Sequence, residues 1–293
     1  MRETQLEEIR SGLSAGTIIP YLGPGMLGLV PNGSPVPATP EELALAITAK
    51  VSVPHKIRKR LTAAAQFIEN FKHRKTIVRL MSECFAAPIE PSALHRYLAS
   101  LPEIPLIVDS WYDSACSAAL AGRSDWGQVQ GLSQSEHFGT WTGYFDWEGN
   151  PTDPAGAADW NTLLYRPLGC VHPARNFLVS DTDFVEVLTE IDIQTPVPPQ
   201  VQELRSGRHF LFLGCRFQDQ LERIFARQIM KRSSDRHWAI LPGELTRKEI
   251  RFLEEQNIER VDLSLDAVES SLVRHAVRLS PPAAMPENHL IRS

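Results

Sequence analysis

Gly23-Pro24-Gly25 directly follows the apolar run Ile18–Leu22. A strand that ends in a Gly-x-Gly turn presents backbone N–H groups that suit a phosphate, and glycine permits close approach of the backbone to an oxyanion. The central proline removes one such donor and fixes its own φ. Met26 follows with a bulky apolar side chain. Two later apolar runs also end in chemically useful residues. Ile104–Val108 leads into Asp109-Ser110-Trp111-Tyr112-Asp113, and Arg208–Leu213 leads into Gly214-Cys215-Arg216-Phe217-Gln218-Asp219. Arg216 suits an anionic ligand, and Asp113 suits the N-cap of a following helix. The four cysteines, Cys84, Cys116, Cys170 and Cys215, form no Cys-x-x-Cys pair, and no His-x-x-x-His spacing occurs. Neither zinc nor another metal is expected, and the thiols read as small buried apolar groups.

Strand–helix alternation must position these residues. A short helix is expected over 4–13, then the Ile18–Leu22 strand and a loop over 28–40 rich in proline. Thr39-Pro40-Glu41-Glu42 reads as a helix start, with Thr39 as N-cap. Helical spacing then predicts one helix over about 56–86 and another over 92–100. Residues 122–162, with Trp126, Trp141, Trp147 and Trp160 among glycines, read as a hairpin or an irregular insert. Short strands are expected at 162–165 and 177–179, and a helix at 181–190 with Asp181 as its cap. A connector at 196–199 leads to strands at 208–213, 237–241 and 258–263, with helices through Leu221–Ile229 and over 246–256. The segment from Pro281 onward reads as a mobile tail. This alternation predicts a single α/β domain over 1–280, a Rossmann-like, doubly wound, mainly parallel sheet with helices on both faces. Residues 28–103 and 122–162 supply a helical and irregular cap. Ligands in such sheets bind beyond the carboxyl ends of the strands.

With 293 residues, 43% apolar and 22% charged, the chain has the make-up of an ordinary globular protein. The net charge of −5 argues against nucleic-acid or membrane-surface binding. The N-terminus lacks the apolar core of a signal peptide, so a cytoplasmic location is expected.

Five segments, in order, give the chain a family likeness. Ile19–Gly25 resembles the Gly-Ala-Gly nucleotide loop of the sirtuin-like superfamily, and Ala64-Ala65-Gln66-Phe67-Ile68-Glu69 resembles its Ala-Gln-aromatic helix. His95–Ala99 followed by Ile107–Asp113 is similar to the helix and strand that end in Thr-Thr-Asn-Tyr-Asp. Phe212–Asp219 is similar to the late strand-Gly-x-Ser…Asp segment, and 237–258 to the terminal strand–helix–strand. The chain resembles the bacterial members that lack the zinc module. The resemblance implies a nucleotide ligand, NAD or an ADP-ribose-type relative, held by Gly23, Pro24, Gly25, Met26, Trp111, Gly214 and Arg216.

The departures fall on the chemistry. Family members that cleave NAD use the Asn of Thr-Thr-Asn-Tyr-Asp, where this chain has Trp111, and a His before a Gly, where it has Leu168 before Gly169. Leucine takes no proton, and indole only donates a hydrogen bond. Displaced groups are then the candidates for catalysis: His172, three residues past Gly169, as base, and Asp109 and Asp113 as stabilisers of a positively charged sugar in the transition state. His137 in the insert is a further candidate. Three outcomes are compatible with these residues. One is a degenerate, weakly NAD-binding sensor or partner-binding module. Another is an active NAD hydrolase of antiviral type, or a deacylase, working through displaced groups. The last is a structural module without ligand. The first fits the residues best, with a protein partner or self-association as its output and the Leu221/Ile224/Phe225 helix either as a contributing face or as core.

Overall fold

The computed structural model describes residues 2–279, so the expected tail lies outside the described residues. Among the described residues eleven strands are present: β1 (Ile18–Leu22), β2 (Leu106–Asp109), β3 (Trp126–Gly131), β4 (Thr142–Asp146), β5 (Pro151–Thr152), β6 (Thr162–Arg166), β7 (Gly169–Cys170), β8 (Asn176–Phe177), β9 (His209–Leu213), β10 (His237–Ile240) and β11 (Ile258–Val261). The α-helices are α1 (Arg2–Ser14), α2 (Pro40–Lys50), α3 (Leu61–Lys72), α4 (Arg74–Cys84), α5 (Ala93–Ser100), α6 (Ala115–Leu120), α7 (Asp181–Glu190), α8 (Pro199–Leu204), α9 (Gln220–Ile229), α10 (Arg247–Glu255) and α11 (Leu265–Leu279).

Nine strands form one sheet in the order β11-β10-β9-β1-β2-β6-β3-β4-β5. Pairing is parallel from β11 to β3 and antiparallel at β4 and β5. The chain leaves β1 toward β2 and returns to the other side of β1 as β9, so the winding reverses between β1 and β9. Strands covered on both faces read as unbroken apolar runs, as β1 and β9 do. Ile19 and Tyr21 point to the face packed by α7, α8, α9 and α10, whereas Ile18 and Leu22 point to the face packed by α1, α5, α6 and α11. A third core joins α2, α3 and α4 to Trp111, Tyr112, Cys170 and Phe177. This is the helical part of the cap. Residues 126–152 instead extend the sheet, since β3 pairs with β6 and carries β4 and β5 as an antiparallel margin. Pro151 sits in the outermost strand at that margin, and Glu259 and Arg260 in the outermost strand at the other.

Several local expectations change. The helix over 56–86 is two helices, because His73 adopts φ 69° between α3 and α4. Arg74 at that joint reaches Asp183 at 2.8 Å, Glu136 at 3.0 Å and the Phe177 carbonyl, so tertiary partners set the break. Ser180, not Asp181, caps α7, and Asp183 closes the capping box. Thr39 caps α2 through the Glu42 N–H, with Pro40 at the first position. The strand expected at 177–179 shortens to β8, which pairs with β7 outside the main sheet. Helices α8 and α11 appear where none was laid out, while α6 is the helix expected after Asp113. Among the described residues no helix is long and apolar enough to cross a membrane.

Candidate functional site

The register brings the three chemically interesting strand ends together. Leu22 sits opposite both Asp109 and Leu213, so Gly23, Ser110 and Gly214 emerge side by side at the winding reversal. A cleft of ≈ 330 Å³ opens there. Its walls come from Pro24, from Ser110-Trp111-Tyr112, from Cys215-Arg216-Phe217, from Leu168, from the start of α3 and from α9. That position, beyond the carboxyl ends of parallel strands at a reversal, is where open α/β sheets bind ligands.

The glycine turn faces its neighbour strand rather than the cleft. The Gly23 N–H donates to the Leu213 carbonyl at 2.8 Å and the Gly25 N–H to the Gly214 carbonyl at 2.9 Å. The Met26 N–H is turned back onto the Gly23 carbonyl at 3.1 Å. Each glycine is required by this contact. A Cβ on Gly25 would lie 2.8 Å from the Gly214 carbonyl oxygen, and one on Gly214, at φ +68°, would lie 2.4 Å from the Met26 nitrogen. Pro24 opens the 3-10 turn Pro24–Leu29, a position at which the missing N–H has no partner to lose. Met26 is buried in the core on the face packed by α1, α5, α6 and α11. Of the four turn residues, Pro24 alone lines the cleft.

Trp111 and Leu168 both line the cleft. The Trp111 indole is buried, donates to the Pro37 carbonyl at 2.9 Å and packs on Phe85 and Tyr112. Leu168 is half-buried. The displaced candidates lie elsewhere. Asp109 is turned away from the cleft onto Arg166, at 3.2 Å, and both are buried beneath the α5–α6 face. Burial pushes the Asp109 carboxyl up to about 7 against the pull of Arg166. Ser114, not Asp113, is the N-cap of α6, and Asp113, one residue earlier, accepts the Ala115 N–H at 2.8 Å. His172 is exposed in the turn between β7 and β8, and its carbonyl accepts from Gln130. His137 is exposed in the 133–141 loop. Among the described residues no histidine lines the cleft.

Arg216 does reach the cleft, but its guanidinium is committed. It pairs with the buried Glu249 at 2.9 Å and leans on the Pro242 and Glu244 carbonyls. Residues outside the expected set complete the walls. Lys59, Arg60 and Thr62 come from the α2–α3 connector and α3, and Asp219 and Glu222 from the start of α9. Burial, reinforced by Asp219, pushes the Glu222 carboxyl up to about 7. Phe184, Phe217 and Phe225 supply an apolar, aromatic lining. The basic run Lys56-Ile57-Arg58-Lys59-Arg60 was visible in the sequence, but reading it as the start of a long helix hid its place at the mouth of a cleft. Among the described residues no three His, Cys, Asp or Glu side chains are grouped to hold a metal ion.

The space and aromatic lining fit a nucleotide base, whereas the glycine turn offers no free N–H from Gly23 or Gly25 for a diphosphate. No curated protein matches the chain. A family model described as SIR2-like domain matches residues 105–261, from the strand before Trp111 to the last strand of the sheet. That is more than half of the chain and includes the β2, β6 and β9 ends that wall the cleft, so the chain belongs to the SIR2-like domain family.

Proposed function

We propose that this protein binds NAD or an NAD-derived nucleotide in the cleft without cleaving it, and that it serves as a nucleotide sensor or partner-binding module. SIR2-like domains generally bind NAD. The single observation that carries the rest of the reading is the pair of side chains at the two family catalytic positions. Trp111 and Leu168 both line the cleft, and neither accepts a proton. A general base must lie within hydrogen-bond reach of its proton or be relayed by one water. Neither displaced candidate, His172 nor Asp109, lines the cleft, and Glu222 is the lining carboxylate whose charge burial disfavours, so it is the group the test must include.

The test is direct. Purified protein incubated with NAD is expected to release no nicotinamide above background, while NAD or ADP-ribose at millimolar concentration raises the melting temperature, because a ligand that binds only the folded state stabilises it. Nicotinamide release above background, whether it disappears in His172→Ala or in Glu222→Gln, would show that other groups do the chemistry, and would overturn the proposal. Absence of any shift with either ligand would leave a structural module in its place.

A further inference from the structure

The cleft has two chemically distinct walls. Lys59, Arg60 and Thr62 line it from the α2–α3 connector and α3, whereas Asp219 and Glu222 line it from the start of α9. Of the cations on the walls, Lys59 is paired with Glu41 at 2.7 Å and Arg216 with Glu249 at 2.9 Å. Among the described residues Arg60 is the one cleft-lining cation whose side chain makes no hydrogen bond or ion pair. An anionic group is repelled by the carboxylates of α9 and attracted by an unpaired guanidinium, which offers a bidentate fork to phosphate. Ribose hydroxyls have the opposite preference, since they donate well to carboxylates. The aromatic side chains of Tyr21, Phe184, Phe217 and Phe225 provide a surface for a base.

Size points the same way. Pockets for small ligands span roughly 300–1,000 Å³. At ≈ 330 Å³ this cleft lies at the small end, suited to one nucleotide unit rather than two. The turn that would be expected to hold a diphosphate has spent the N–H groups of Gly23 and Gly25 on the end of β9 and on Gly214 after it.

Resting on the reading that the cleft binds a nucleotide, we propose that it takes a nucleoside monophosphate unit in one orientation. The phosphate lies on Arg60, the base among the aromatic side chains and the ribose hydroxyls toward Asp219 and Glu222, with no phosphate contact at the glycine turn. The second half of a dinucleotide then projects from the mouth and adds little affinity.

Isothermal titration of the full chain with AMP, adenosine and NAD tests this, using the natural protein and Arg60→Ala. Arg60 is exposed and unpaired, so the variant keeps its fold. The natural protein is expected to bind AMP at least as tightly as NAD. Arg60→Ala is expected to weaken AMP by about ten- to a hundredfold, the range for a charged hydrogen bond to phosphate, and to leave adenosine within about twofold. Equal losses for AMP and adenosine, or NAD binding about tenfold tighter than AMP to the natural protein, would overturn the orientation and size and leave nucleotide binding intact. Failure of all three ligands to bind the natural protein would overturn the underlying reading and this one with it.

Discussion

At the scale of single residues, burial decides what the titratable groups can do. His237 at the start of β10 is buried and accepts the Phe210 N–H on Nδ1 at 3.0 Å. Burial, helped by His209, lowers its imidazole to about 4. The unfolded chain, with imidazole near its ordinary 6.5, binds a proton that the folded state refuses between those values. Stability from this group is therefore complete above about pH 6.5 and is lost as the pH falls toward 4. Asn at this position retains an acceptor and does not titrate. Denaturant unfolding at pH 7 and pH 4.5 should show that His237→Asn reduces the acid-induced loss by about 2 kcal/mol; an unchanged loss would refute the assignment. Asp109 illustrates the limit of reading such groups from sequence. Its strand and its place near the cleft were legible, but a strand end presents a side chain to one face or the other, and only the register with β6 showed that Asp109 meets Arg166.

At the scale of elements, the two glycine-bearing loops after β1 and β9 act as one interlocked unit. Gly25→Ala places a methyl group 2.8 Å from the Gly214 carbonyl oxygen, and a cost of about 1–3 kcal/mol is expected from overpacking against backbone. Gly28, in the same 3-10 turn, has nothing within 4 Å of its Cβ position. Gly28→Ala should therefore be neutral or stabilise by up to about 1 kcal/mol. Thermal unfolding of the two variants separates a packing role for the glycines from a ligand-binding one, and equal behaviour would rule out the interlock. Element positions were legible where local signals were strong: Thr39-Pro40 starts α2, and the apolar runs of β1 and β9 are strands. The break at His73 was not, since helical spacing runs through it and the cause is the remote set of partners around Arg74. Likewise, Pro24 read as a defect in a phosphate loop and is a helix-turn starter. Sequence spacing carried the existence of the turn, and only the neighbouring strand revealed what its N–H groups bind.

At the scale of the whole molecule, the cap has its own core, built around residues that follow β2 and around β7 and β8. Trp111 and Tyr112 leave the end of β2 and pack among Phe85, Ile77 and Ile68 of the cap, while Arg74 pins the far end of α3 and the start of α4 to α7 and β8. Truncation of Trp111 should then weaken the entire domain. Trp111→Ala is expected to cost about 3–5 kcal/mol and to leave a single transition, with far-ultraviolet and near-ultraviolet circular dichroism melting together. A separate early transition would show that the cap unfolds alone. The α/β class and the parallel centre of the sheet followed from strand–helix alternation, and the hairpin alternative for residues 122–162 is met by β3 and β4, whereas their joining the main sheet through β6 was not legible, because short strands among tryptophans and glycines carry little periodicity. The margins themselves have a consequence for behaviour in concentrated solution. Open backbone edges invite strand-to-strand growth between molecules. Here one border is a two-residue strand containing Pro151, which brings no N–H, and the other carries the charges of Glu259 and Arg260. The sheet that gathers the cleft is thus blunted at both borders, and copies of this chain can crowd together without adding to one another's ladder.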